Sequence, residues 1–255
     1  MRSIIYGPVS SWRLGRSLGI DMLSTEGSTC SFNCIYCQLG KTVHPLVERR
    51  EFVTLVDLAE ELEKVKDVPA DYATFSGTGE PTLASNLGKA IEMVKSTLKL
   101  PVAVLTNSSF MPRKAVRHEL ALADVVVAKL DAPDEQRFQA VNRPLCRYTF
   151  DEVLQGIRRF KAEYKGKLAL QMMFVEANRD CAPEMARIAR ELSPDEVQIN
   201  TPLRPCAVKP LSPEVLAAIR DEFGGLGRVV TVYEAEKPAA TPLSMVETLK
   251  RRPEL

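Results

Sequence analysis

Three cysteines crowd into eight residues, Cys30-Ser31-Phe32-Asn33-Cys34-Ile35-Tyr36-Cys37, with a C-x3-C-x2-C spacing. Thiols this close suit metal ligation in a reducing compartment better than a disulfide framework. Structural zinc wants four ligands, usually as two separated pairs, and the sequence holds no second pair of cysteines. His44 could supply a fourth ligand across a Gly- and Pro-containing loop. Ordinary ferredoxin-type clusters also take four cysteines. Three thiolates on a four-iron cubane leave one iron open, which is what a catalytic metal site requires. A three-cysteine [4Fe–4S] centre therefore leads, with zinc and buried free thiols as the alternatives.

The loop needs a scaffold, and the rest of the chain alternates short apolar runs with amphipathic patterns. Strands are predicted at Leu18–Leu23, Asp71–Ser76, Val102–Thr106, Val125–Asp131, Leu168–Val175, Val197–Thr201 and Val229–Tyr233. Several are continuous apolar runs, the pattern of strands buried on both faces of a parallel sheet. Helical spacing recurs at Leu55–Val65, Leu87–Leu98, Pro112–Ala123, Phe150–Tyr164, Pro183–Leu192 and Pro213–Phe223. Thr149 with Glu152, and Ser212 before Pro213, are helix start signals. Strand ends recur often enough for one βα unit each. The expectation is α/β, a partial (β/α)6 barrel of parallel strands with outer helices, in a single domain over 1–255. Its core barrel would run from about 15 to 205, with a C-terminal strand/helix extension over about 206–255. Polar residues at strand C-termini would face the active site: Ser76, Asn107, Asp131, Glu176 and Asn200.

The 255 residues are 45% hydrophobic, with 34 Lys+Arg against 33 Asp+Glu and a formal charge of +1 at pH 7. That balance excludes a strongly basic, whole-surface nucleic-acid binder but not a local basic patch. No stretch approaches the roughly 18–20 apolar residues of a membrane span. The first residues lack a secretory h-region, so a cytoplasmic location is expected.

The cysteine spacing, with Tyr36 just before the third thiol, resembles the signature of the radical S-adenosylmethionine (radical SAM) superfamily. In that family SAM chelates the open iron through its amino and carboxylate groups. One electron from the cluster then cleaves the sulfonium to a 5′-deoxyadenosyl radical, which abstracts hydrogen from a substrate. Ser76-Gly77-Thr78-Gly79-Glu80-Pro81 stands where the family carries its "GGEP" loop, which receives the SAM amino group. Glycines let carbonyls approach an ammonium, and an acidic side chain adds complementary charge. No Lys-Ser/Thr follows at P-loop spacing, which disfavours a phosphate cradle there. The resemblance places Tyr36 near the SAM adenine, Gly77, Thr78, Gly79, Glu80 and Pro81 on the methionyl end, and Asn107 and Asp131 on the ribose or substrate. For Asn107 and Asp131 the alternative is a turn residue capping the next helix. It also implies a flavodoxin- or ferredoxin-like electron donor.

More narrowly, several stretches resemble the subgroup related to wyosine-type, tRNA-modifying radical SAM enzymes. They include Arg13-Leu14-Gly15-Arg16-Ser17-Leu18-Gly19-Ile20-Asp21, Cys34–Gly40, Phe75–Leu83, Leu105-Thr106-Asn107 and Val141-Asn142-Arg143-Pro144. That resemblance makes RNA the alternative substrate class, and a zinc-stabilised, non-catalytic binding module is the alternative outside enzymes.

Other candidates have plainer readings beside the functional ones. Lys129 should share a face with Asp131 by strand alternation, as a SAM carboxylate contact or an ion pair. Asn142-Arg143-Pro144 binds substrate or ends a helix. Gln171 and Glu176 stand near strand ends, while His118 and His44 read as surface and loop. Arg13, Arg16, Arg49, Arg50, Arg204 and Lys209 could form a basic patch or remain scattered charge. Cys146, Cys181 and Cys206 read as ordinary thiols rather than an auxiliary cluster.

Overall fold

The apolar runs VAVLT, VVVAK and LALQMM become strands with both faces covered. The computed structural model describes residues 3–253. In chain order the elements are β1 (Ile5–Ser11), β2 (Gly15–Ile20), β3 (Thr29–Cys30), β4 (His44–Pro45), α1 (Leu55–Val65), β5 (Tyr72–Phe75), α2 (Leu87–Leu98), β6 (Val102–Thr106) and α3 (Lys114–Leu120). There follow β7 (Val125–Lys129), α4 (Glu135–Val141), α5 (Phe150–Glu163), β8 (Lys167–Met173), α6 (Ala182–Leu192), β9 (Glu196–Asn200), α7 (Pro213–Asp221), β10 (Val229–Thr231) and α8 (Met245–Arg251).

Among the described residues, eight strands form one sheet in the order β1-β2-β5-β6-β7-β8-β9-β10, and β3 pairs with β4 apart from it. β1 is antiparallel to β2, and all other neighbours in the large sheet are parallel. The architecture is an α/β half-barrel of mostly parallel strands with helices outside. It holds seven parallel strands where six were expected, because α7 carries the chain over to β10 beyond residue 205. The hairpin strand β1 is hidden in the sequence by Gly7-Pro8 at its centre. Proline demotes a strand to an edge, and an edge is where β1 lies.

Local signals hold at the helix ends. The Thr149 and Glu152 side chains form a reciprocal capping box at α5, and the Ser212 hydroxyl accepts from Val215 N at α7.

Strand alternation sorts the side chains into two layers. Val102, Val104, Val126, Ala128, Leu168, Leu170 and Met172 join the main core beneath the helices. Their strand neighbours Ala103, Val125, Val127 and Ala169, with Leu14 from the β1–β2 turn, form a small plug inside the curl. Towards the strand C-termini the same inward rows turn polar: 125-127 continues to Lys129 and Asp131, 103-105 to Asn107, and 169 to Gln171. The barrel thus has an apolar floor and a polar mouth.

The C-terminal segment closes against β1. Gly7 N donates to Thr248 Oγ1 (3.2 Å), and Leu243 N donates to Gly7 O (2.6 Å). No helix among the described residues is long and apolar enough to cross a membrane.

Candidate functional site

Cys30 ends the short strand β3, which is stitched to the loop after β5. Thr29 N donates to Thr78 O (2.8 Å), and Glu80 N donates to Thr29 O (3.2 Å). The stitch requires Gly79, because a Cβ there would stand 1.6 Å from the Thr29 carbonyl oxygen. On its other side the cysteine loop is clipped to the residues after α4. Ile35 N donates to Val141 O (3.0 Å), Asn33 N to Asn142 O (3.1 Å), and Leu145 N to Ser31 O (2.8 Å). Phe32 packs edge-on against Phe138, with centroids 5.2 Å apart. Backbone pairing therefore fixes both flanks of a loop that has no regular structure of its own.

The three thiols are half-buried and free of disulfides. Burial pushes Cys34 up to about 12, with the Asp131 carboxylate adding to it, and burial likewise raises Cys30 and Cys37. Asn107 Nδ2 points at Cys30 Sγ (3.4 Å) and Asn142 Nδ2 at Cys34 Sγ (3.6 Å). Amide donors aimed at sulfur suit a thiolate whose proton a metal has replaced. Among the described residues, no three His, Cys, Asp or Glu side chains converge as a single ion would require. His44 is turned away, its Nε2 2.9 Å from the Glu26 carbonyl. This donor set is all-sulfur, three-membered and spread out. It fits a multi-iron cluster and not a four-coordinate zinc.

Glu80 is buried and fully engaged. Its carboxylate accepts from Thr82 N (3.1 Å), Thr82 Oγ1 (2.6 Å), Thr106 Oγ1 (2.6 Å) and Asn107 N (2.6 Å). Burial raises its pKa, against the pull of those four donors. The carboxylate expected to complement an incoming ammonium instead clamps the loop to the end of β6. What the loop offers a ligand is backbone. Thr78 N in turn donates to Asp21 Oδ2 (3.1 Å), and Asp21 pairs with the fully buried Arg251 of α8 at 3.0 Å. A Cβ at Gly77 would lie 2.2 Å from Asp21 Cγ. Pro81 opens a single 3-10 turn over Pro81–Leu83.

A second knot centres on Asp131. The Tyr36 hydroxyl donates to its Oδ2, as does Asn142 Nδ2 (2.8 Å), while Met173 N donates to Oδ1 (2.8 Å). Lys129 Nζ lies 3.2 Å from Oδ1 and 4.8 Å from the centroid of the Tyr36 ring. Burial, then the Asp131 charge, holds the Tyr36 phenol well above its usual range. The expected Lys129–Asp131 pairing exists, and it orients Tyr36 beside Cys37.

Tyr36 and Cys37 open onto a cavity of about 700 Å³ that also meets Lys129, Gln171, Met173 and Asn200. The sequence candidates Cys30, Cys34, Cys37, Tyr36, Asn107, Asp131, Asn142 and the 77–81 loop thus come together at one barrel mouth. Others do not. Glu176 is exposed and paired with Arg179, and the candidate basic residues are divided rather than gathered into one patch. Arg16 pairs with Asp71, Arg49 with Glu119, and Arg50 stacks on Phe52, leaving Arg13 and Arg204 on the cavity. Cys146, Cys181 and Cys206 do not converge. Cys181 is pushed up to about 11 by burial and then Asp180, and Cys206 Sγ donates to Val208 O (3.1 Å). Sequence reasoning missed Asp21 and Arg251. Asp21 follows a strand end as Asn107 does, which is the signal that could have found it.

Comparison with known proteins adds to this geometry. Residues 27–189 match the model of the Radical SAM superfamily. A UPF0026 protein of Synechocystis is 41% identical over 212 residues, covering 83% of this chain and 78% of that protein. A UPF0026 protein of Methanocaldococcus jannaschii is 36% identical, covering 85% of this chain and 69% of that protein. The crystal structure of Streptococcus suis SuiB bound to S-adenosylmethionine superposes with a TM-score of 0.63 at 16% identity. That match covers 80% of this chain and 48% of SuiB, so the chain spans about half of SuiB's length.

Proposed function

Because the chain belongs to the radical SAM superfamily, whose cofactors are a [4Fe–4S] cluster and SAM, we propose that Cys30, Cys34 and Cys37 hold that cluster here. Bound together, cluster and SAM supply one-electron cleavage of the sulfonium to a 5′-deoxyadenosyl radical that takes hydrogen from a substrate. The electron would come from a low-potential carrier of the flavodoxin or ferredoxin type. The observation that carries the reading is the direct splice of the Cys30 strand to the 77–81 loop.

The chain's own residues have separable tasks. Asn107 and Asn142 direct N–H groups at Cys30 and Cys34, favouring the thiolate. Carbonyls of the 77–81 loop would receive the methionyl ammonium, and Glu80 keeps that loop in register with Asn107. Asp131 holds Tyr36 against the mouth where the adenine would sit. The apolar plug below and the C-terminal segment beside the mouth keep water from the reacting centre, as radical chemistry demands.

Anaerobically reconstituted protein given SAM and a strong reductant should be brown and should form 5′-deoxyadenosine. Cys34→Ala should lose both the colour and the product. A colourless, zinc-loaded protein that forms none would restore the binding-module alternative.

A further inference from the structure

The same cavity that meets Tyr36 and Cys37 carries a set of cations that the cluster chemistry leaves unexplained. Arg13, Lys129, Arg204, Lys237 and Arg252 line it, and among the described residues no Asp or Glu does. The whole chain is balanced, 34 basic residues against 33 acidic, so this lining is a concentration of one sign. The three arginines arrive from distant segments. Arg13 is at the tip of the β1–β2 hairpin, Arg204 in the loop after β9, and Arg252 just beyond α8.

Hydrogen-bond accounting points the same way. Arg13 Nε, Lys129 Nζ and Gln171 Nε2 are buried without a hydrogen-bond partner among the described residues. Lys129 Nζ faces Asp131 as an ion pair, without the geometry of a hydrogen bond. All three are donors, and all three residues line this cavity. Buried donors left unpaired are costly and call for an acceptor. The neighbouring carboxylate cannot provide it, because Glu196 already pairs with Lys167 at 2.6 Å and Arg228 at 3.1 Å. Burial, then the charges of Arg252 and Arg204, push the Arg13 guanidinium down to about 9. The three guanidinium groups line the same cavity, and like charges that share a cavity repel one another. Arg204 is also aimed by the cluster loop, since its Nη1 donates to Gln38 Oε1 at 2.8 Å, one residue past Cys37.

We propose that Arg13, Arg204 and Arg252 form an anion subsite for a phosphate group of the substrate, which makes the substrate a phosphorylated small molecule. Guanidinium forks match phosphate geometry, and a dianion offsets converging cations better than a single carboxylate does. The volume of about 700 Å³ lies within the roughly 300–1,000 Å³ of small-molecule pockets. With its phosphate at the arginines, the rest of the molecule extends towards Tyr36 and Cys37, where the hydrogen would be taken. The assignment of that hydrogen transfer rests on the radical SAM reading; the anion subsite itself does not.

The probe is inorganic pyrophosphate, titrated calorimetrically into the anaerobically reconstituted full chain with SAM at saturation. One-to-one binding is expected, weakened at least about tenfold in both Arg13→Gln and Arg204→Gln. Arg16→Ala, three residues from Arg13 but paired with Asp71 on the surface, should bind as the parent does. Folding is checked independently. Removing one cation from a repelling cluster should leave the melting temperature of Arg13→Gln in anion-free buffer equal or higher, and pyrophosphate should raise it less than in the parent. Equal binding in parent and Arg13→Gln, or displacement of pyrophosphate by SAM, would overturn the subsite. So would tight, steeply salt-dependent tRNA binding without pyrophosphate binding, in favour of an RNA substrate. Formation of 5′-deoxyadenosine by the same preparation without substrate reports on the radical reading separately. Pyrophosphate binding without that product would leave the subsite standing and the radical reading broken.

Discussion

Around the cysteine loop, the cysteine end of the site, the buried carboxylates are crowded with partners. Glu80 accepts from Thr82, Thr106 and Asn107, and Asp131 accepts from Tyr36, Asn142 and Met173. Along the cavity wall that carries the arginines, the arginine end of the site, the imbalance is reversed: Arg13, Gln171 and the shared Lys129 bring buried donors, and no carboxylate is among the described lining residues. A satisfied buried network fixes geometry before any ligand arrives. An unsatisfied one is tolerated where a ligand completes it. The cysteine end is thus a preformed mount, and its residues should fail together when one is disturbed. The arginine end should tolerate substitution structurally and fail only in binding.

The comparison breaks most visibly at Gly79. An alanine there would put Cβ 1.6 Å from the Thr29 carbonyl, and the obstacle is backbone, which cannot swing aside. The expected result for Gly79→Ala is separation of the 77–81 loop from the Cys30 strand, with 5′-deoxyadenosine formation reduced about 100-fold or more. Iron content and product after reconstitution are the measurements. Retention of both would mean that the splice does not position the site. Arg13→Gln should retain its iron.

Arg251 tests how far the satisfied network reaches. Its side chain is 1% exposed and pairs with Asp21 and Glu247, and Asp21 holds Thr78. Arg251→Met leaves Asp21 buried without its countercharge, an expected loss of about 3–5 kcal/mol, read from urea unfolding. A loss below about 1 kcal/mol would show that α8 is only loosely tied to the loop.

These two ends also differ in how readable they are from the residues. Alternation along VVVAKL places Lys129 and Asp131 on one inward row, and the strand-end rule brings Asn107 and Asp131 to the mouth from the sequence alone. The 77–81 loop is recognisable from its residues, although the task of its Glu80 carboxylate is not, because four donors from two segments decide it. The arginine subsite is invisible in the sequence. Positions 13, 204 and 252 reach one cavity only because a hairpin tip folds into the barrel and α8 returns to β1. Asp21 and Arg251 are hidden for the same reason, 230 residues apart. The seventh parallel strand, β10, is only three residues long, and so short a run does not by itself declare that it extends the barrel.

The smallest effect sharpens the contrast best. Arg13 and Arg16 stand three residues apart, carry the same charge, and as residues are equally suited to a basic patch. Arg16 begins at the edge of β2 and forks onto Asp71, with Nη2 2.8 Å from Oδ1 and the backbone N 2.7 Å from Oδ2. Both side chains of that pair are about two-fifths exposed. Hydrogen bonding and the neighbouring charge hold Asp71 below its ordinary range and Arg16 above it. Solvent screens such pairs, and they contribute little to stability. Arg16→Ala should therefore leave the melting temperature and pyrophosphate affinity unchanged within error. Weakened pyrophosphate binding in Arg16→Ala would mean that the anion is held by diffuse surface charge, and the special standing of Arg13 would be lost. An unchanged Arg16→Ala beside a weakened Arg13→Gln would locate the effect inside the barrel, where burial turns the same side chain into a ligand.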